Sequence, residues 1–271
     1  MSQPKTSRFS KQTLDFLKRA SRQKKSDWLD RNREEFENLV RLPLQHLARK
    51  LATTLRPLAA GYHFPLKGLG RLKRSAIRVQ EYGGGHFKSY VSFTITRPSK
   101  SRFDHNPSIY FMIDSDDDEG DEVLLAGGLY MPSSRQLRSI REKIADNPKP
   151  FEVLFKSKVF RASFPEGFSD ERTATRPPRG FDPGHSHIHW LKLQGFFVWR
   201  SYSKKQYLSV EFPEIVLKDA KQILRLNELL EQAISMNWSD KTVGKKAVQR
   251  RNSSLLERTG DETIILPTPD F

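Results

Sequence analysis

The sequence predicts an α+β fold in a single domain, with a mixed or antiparallel sheet packed against N-terminal and C-terminal amphipathic helices. Three observations carry this expectation. Apolar residues recur at helical spacing in the first sixty residues and again beyond residue 212. Between them, around 91–95 and 109–113, they alternate with polar residues, the period of a half-buried strand. The 271 residues suit one large domain or two small ones, and no internal repeat is visible.

Taken in order, residues 1–8 read as a disordered lead and residues 9–238 as the domain. Ser10 is placed to cap a first helix, with Phe9 packing on Leu14 and with Phe16 and Leu17 on the buried face. Ser26 is placed to cap a second, longer helix. Its apolar positions Leu29, Phe36, Val40, Leu44, Leu47, Leu51, Leu55 and Leu58 follow a 3.6-residue period, with Trp28 as a core anchor. Pro43 lies inside that pattern and predicts a kink or short break, because it has no N–H and crowds the preceding turn. Residues 61–70 read as a loop.

The period then becomes two. A short strand is expected at 76–79, a second through Val91, Phe93 and Ile95, a third through Ile109, Phe111 and Ile113, and a fourth at 123–130, bent by Gly127-Gly128. Gly83-Gly84-Gly85 lacks the spacing and Lys-Ser/Thr ending of a P-loop and reads as a turn. Seven carboxylates between Asp114 and Glu122 read as a solvated hairpin loop, since their spacing is not that of a calcium loop. Ser133 with Gln136 forms a capping box for a helix with Leu137, Ile140 and Ile144 on its buried face. Residues 151–155 read as helical, 160–164 as a short strand and 196–199 as an inner strand. The last helix runs from Phe212-Pro213 to Ile234. Residues 239–271 read as a basic, flexible tail.

Composition narrows the function classes. Lys and Arg number 47 against 32 Asp and Glu, a net charge of +15. Residues 1–75 hold 18 Lys/Arg and 6 Asp/Glu, so 18 − 6 = +12 falls in the first quarter. Such a balance favours anionic partners, nucleic acid first and phosphorylated ligands second. The absence of cysteine excludes disulfides, thiolate nucleophiles and cysteine metal sites. With no membrane-length apolar run and no apolar signal core in residues 1–8, a soluble, cytoplasmic protein is expected. No cofactor motif is present.

The densest chemistry lies in residues 176–190, which hold two arginines and three histidines. On a strand, His185, His187 and His189 would share a face and could hold a metal; on a helical turn, His187 would point away from the other two. Arg179, before Gly180 in a proline-stiffened turn, is suited to bidentate contact with phosphate, or to a local pairing with Asp182 or a carbonyl. Tyr82, Phe87, Tyr90, Trp190, Trp199 and Tyr202 lie near cations and could stack on bases or fill the core.

Several segments combine into a resemblance. These are Phe16-Leu17, Trp28 with Asn32-Arg33, and Pro43 in a leucine-rich helix; Ala126-Gly127-Gly128-Leu129-Tyr130-Met131-Pro132 with Leu137 and Ile140-Arg141; and Pro178-Arg179-Gly180-Phe181-Asp182 with His185, Leu191, Lys192 and Phe196. Over roughly residues 9–235 the chain resembles an uncharacterised family catalogued as domain of unknown function 2461. The resemblance implies a single α+β domain and no established activity. Of the family's Arg-Asp pair and Lys-x-Pro-Tyr-Lys run near the first strand, Arg78 and Lys88 are the matching positions. Gly184 and Ser186 stand where Asp and Pro are expected. Arg78, Lys88, Arg179 and Lys192 are therefore the candidate anion-binding residues. The alternative is an enzyme centred on Arg78, Arg179, Asp182 and His185, metal-dependent if the histidines ligate.

Overall fold

Several helices begin where a side chain or a proline relieves the backbone. The computed structural model describes residues 8–81, 83, 85–99, 105–116 and 120–235, so the expectations for the lead, for Tyr82 and for the basic tail lie outside the described residues. Helix α1 (Lys11–Ser21) starts at Ser10, which exchanges hydrogen bonds with Thr13 in a reciprocal capping box. Phe9 is buried and stacks on Phe111 at 5.9 Å, so the cap is pinned to the sheet.

The long second helix is broken into pieces: α2 (Trp28–Arg31), α3 (Arg33–Phe36), a π-helical turn (Glu37–Arg41) and α4 (Leu42–Leu55). Asp27, not Ser26, occupies the first N-cap and makes no side-chain cap bond. The π turn has a cause in Pro43. Without an N–H, Pro43 cannot bond the carbonyl of Leu39, four residues back. That buried carbonyl instead accepts from the Thr13 hydroxyl at 2.8 Å, tying α1 to the irregular turn.

Helix α5 (Ala76–Glu81) replaces the strand expected at 76–79. Four residues of alternation cannot separate the two states, and Ser75 starts the helix by accepting the N–H of Val79 on its carbonyl and that of Arg78 on its hydroxyl. Strands β1 (Tyr90–Thr96), β2 (Ser108–Asp116) and β3 (Gly120–Leu129) follow, then α6 (Ser134–Asp146), α7 (Lys149–Lys156), α8 (Lys158–Ser163), α9 (Ile188–Leu191), β4 (Phe196–Ser201), α10 (Lys204–Tyr207) and α11 (Phe212–Ser235). The strand expected at 160–164 is α8, where Phe160 and Phe164, four apart, are both buried and their rings meet at 5.5 Å.

The four strands form one antiparallel sheet in the order β1-β2-β3-β4. Phe93 faces Phe111, which faces Leu125, so the register brings Val91, Ile95, Ile109, Ile113 and Val123 onto the same side. On that side Gly127 is the close approach: a Cβ there would lie 2.0 Å from Ile223 of α11. Helix α11 covers β3 and β2 and also touches α4, α6, α7 and α8. β4 pairs with β3 alone among the described residues and is an edge strand, correcting the inner-strand expectation. Its residues are apolar on both faces for a local reason. Phe196 and Val198 enter the core, Phe197 is covered by the Tyr130 ring at 4.9 Å, and Trp199 is 48% exposed. Within the acidic run, Asp114 and Asp116 end β2 while Asp121 and Glu122 begin β3; residues 117–119 lie outside the described residues.

Candidate anion-binding surface

The four cations singled out by sequence fall into two groups. Arg78 on α5 pairs with Glu81 at 3.1 Å. Lys88, just before β1, sits over the Tyr90 ring at 4.5 Å. Arg179 is exposed, and Lys192 caps the C-terminus of α9, its carbonyl accepting from the Ala174 N–H at 2.9 Å. The first pair lies by the start of β1, whose Tyr90 is in line with Glu122 of β3. The second pair precedes β4, whose Phe196 faces Leu129. Three strand spacings across and seven residues along put these corners roughly 28 Å apart.

The histidines are not a metal cluster. His185 Nδ1 accepts the His187 N–H at 3.0 Å, which places the ring proton on Nε2, and Nε2 donates to Ala145 O at 3.2 Å. Both nitrogens are therefore spent on backbone, and His185 braces the end of α6. His187 Nε2 meets Glu152 at 2.7 Å while its Nδ1 meets the Ser186 hydroxyl at 3.0 Å. A hydrogen bond from Lys156, then one from His187, hold the Glu152 carboxyl below its usual range. Burial, then the neighbouring His187, lower the pKa of His189. Among the described residues no group of three or more His, Asp or Glu is placed to hold a metal. Asp182 Oδ1 accepts the Gly184 N–H at 2.8 Å and shapes the turn. No ion pair joins Asp182 to Arg179 among the described residues, and Arg78 is at the other corner. The structure does not bring the four residues of the enzyme alternative together.

What folding does gather is a different set of cations. Three segments, around 24–28, 71–74 and 86–88, are laced together. Lys73 Nζ donates to Ser26 O at 3.1 Å, Lys88 N to Leu72 O at 3.0 Å, Arg74 N to His86 O at 2.8 Å and Arg74 Nε to Phe87 O at 3.2 Å. Beneath them Trp28 packs on Phe16 at 5.3 Å and on buried Phe87 at 5.9 Å, an anchor that sets the segments side by side. Lys24, Lys25, Arg71 and Lys73 are exposed on this strip and form no ion pair within 4 Å among the described residues. The nearby acids are already engaged: Asp27 pairs with Arg31 at 2.8 Å and Asp30 with Arg33 at 2.6 Å. The Arg31 hydrogen bond is the main cause of a lowered Asp27 pKa, and Lys25 adds to it. Elsewhere in the first quarter Arg19 pairs with Glu35, Arg41 with Glu37 and Lys50 with Glu214. Positive charge thus remains where the segments meet. The acidic β2 end lies beside it, since Ser115 N donates to Ser89 O.

Of the aromatics near cations, Phe87 and Tyr202 are buried, Trp190 packs on the core, and Tyr90 and Trp199 keep exposed surface. Sequence reasoning passed over Lys24-Lys25 and Arg71-Leu72-Lys73-Arg74. The available signal was two short cationic runs on either side of the broken helix α2 to α4.

A sequence model described as a conserved hypothetical protein (DUF2461) matches residues 12–228. Neither the curated proteins nor the solved structures contain a significant match.

Proposed function

The chain belongs to this conserved hypothetical family, and we propose that it binds a phosphate-bearing partner, nucleic acid first, through the strip formed by Lys24, Lys25, Arg71 and Lys73. The observation that supports the reading is the locking of two cationic segments side by side, by the Lys73–Ser26 bond, over acids that are already paired. Phosphates need no shaped pocket; they need fixed positive charge at the surface. No helix among the described residues is long and apolar enough to cross a membrane. We assign the protein to the cytoplasm as part of the same proposal.

The reading fixes a number. Four phosphate contacts give a slope of log K against log salt of about −3.6 on duplex DNA and about −2.8 on a single strand. Between 50 and 200 mM salt, affinity would fall about 150-fold on duplex, or about 50-fold on a single strand. Fluorescence anisotropy with labelled oligonucleotides measures it. The Lys24→Ala/Lys25→Ala/Lys73→Ala variant would flatten the duplex slope to about −0.9. Binding that ignores salt, or a variant that binds like the parent, overturns the proposal.

A further inference from the structure

A second positive feature lies at the opposite corner, where the end of β3, α6 and the start of β4 meet. Arg141 on α6 is half-buried, and its Nη2 donates to Leu193 O at 2.9 Å. Its Nε is buried without an acceptor, and no carboxylate pairs with it among the described residues. Other partly buried arginines differ. Arg97 has Glu231 at 3.0 Å, Arg200 has Asp219 at 3.2 Å, and Arg41, which also leaves its Nε unmatched, has Glu37. The nearest acid in the chain, Glu142, is taken by Arg138 at 2.7 Å. Burial is the cause of a lowered Arg141 pKa, with no acid offsetting it.

Arg172 supplies a second guanidinium. It stacks on the Tyr130 ring at 4.9 Å and donates through Nη1 to Tyr130 O at 2.6 Å. Glu171 is the acid on this side, and it accepts from the Tyr130 hydroxyl at 3.2 Å. The two arginines are held to one junction. Gln194 N donates to Arg172 O at 2.7 Å and Ala174 N to Lys192 O at 2.9 Å, so residues 172–174 run beside 192–194. Gly195 packs so closely on Tyr130 that a Cβ would lie 2.5 Å from that carbonyl. Leu193 and Gly195 are two residues apart, so the carbonyls gripped by the two arginines lie within roughly 10 Å of each other. Lys192 adds a third cation next to Leu193 in the chain.

We propose that this junction is a small-oxyanion site in which Arg141 and Arg172 bind the phosphate or carboxylate group of a small molecule. A guanidinium held by one backbone carbonyl still has further N–H groups to offer, and partial burial strengthens its attraction for an anion. The site is separate from the Lys24–Lys73 strip, and either can fail without the other.

The test uses the full chain at constant ionic strength, titrated with inorganic phosphate, citrate or chloride, while thermal unfolding and the arginine Nε–H NMR signals are followed. Saturable stabilisation by phosphate or citrate over chloride is expected, with the Arg141 Nε–H resonance moving along the same curve. Response to phosphate alone identifies a phosphorylated ligand, and response to citrate alone identifies a carboxylate. Arg141→Gln should abolish the response and Arg172→Gln weaken it at least fivefold, whereas Lys24→Ala/Lys25→Ala/Lys73→Ala should leave it intact. Should Arg141→Gln fail to fold, the resonance shift in the parent chain and the Arg172→Gln titration decide alone. No response beyond chloride, an unmoved Arg141 signal, or an equal response in a folded Arg141→Gln protein overturns the proposal.

Discussion

Gly127→Ala offers the sharpest test of how α11 seats on the sheet. A methyl at this position would lie 2.0 Å from Ile223 Cγ2 and 2.9 Å from both Ile223 Cδ1 and Ser108 O. Carbon atoms pack best at roughly 3.5–4.0 Å, so Ile223 would have to retreat by about 1.5–2 Å. Ser108 O is backbone, accepts from Asn227 Nδ2 at 3.2 Å, and cannot retreat in the same way. Overpacking of this kind costs about 1–3 kcal/mol, and the depth of the overlap beside a fixed carbonyl puts this site near the upper figure. In urea, a loss of about 3 kcal/mol with a slope of about 2–3 kcal/mol/M lowers the midpoint by about 1 M or more. Ile223→Ala alone should cost about 2–5 kcal/mol by opening a cavity. In the double variant the new methyl enters that space, so the combined loss should fall short of the sum by at least about 1 kcal/mol. A Gly127→Ala loss under about 1 kcal/mol, or additive behaviour in the double variant, would refute this account of the interface.

Two further outcomes follow from the polar groups of the core. Thr13→Val removes the donor to Leu39 O, the carbonyl that Pro43 leaves unmatched, and should cost about 1–3 kcal/mol in chemical denaturation; an unchanged midpoint would detach the π turn from this bond. Tyr202 and Tyr62 are both raised above the ordinary tyrosine pKa. For Tyr202 the causes are burial, then the Asp219 charge; for Tyr62 they are burial, then its bond to Glu231 at 2.6 Å. Folding therefore favours the protonated phenols: their contribution is complete below the unfolded pKa near 10 and declines as pH rises above it. Each tyrosine adds a slope of about −1.4 kcal/mol per pH unit there. Urea midpoints between pH 8 and 11 should show the decline, and Tyr62→Phe should lessen it; a flat profile contradicts the burial of these phenols.

The sheet was legible because Val91–Ile95 and Ile109–Ile113 alternate over enough residues to exclude a helix. Residues 76–79 and 160–164 were too short for that distinction; Ser75 caps the first, and in the second the i,i+4 pair Phe160 and Phe164 is buried together. β4 was misread as an inner strand because Tyr130, sixty-seven positions earlier, covers Phe197 from outside. The irregularity at Pro43 was visible, but its partner Thr13 lies 26 residues away. The same limit applied to charge. The excess of cations in the first quarter was plain, but which of them stay unmatched depends on distant acids such as Glu214, which takes Lys50. Arg141 looked ordinary beside Glu142, although Arg138, one helical turn earlier, takes that carboxylate.

Helix α11 has a bearing on how the protein is made. It lies over β3 and β2 and meets four other helices, yet it is the last element before residue 235. A ribosome that has finished β3 must add all of residues 130–235 before this cover is complete, roughly 5–20 s at ordinary elongation speeds. During that interval the β3 and β2 face lacks this cover, so the nascent chain presents an oily surface to chaperones until residue 235 has been made.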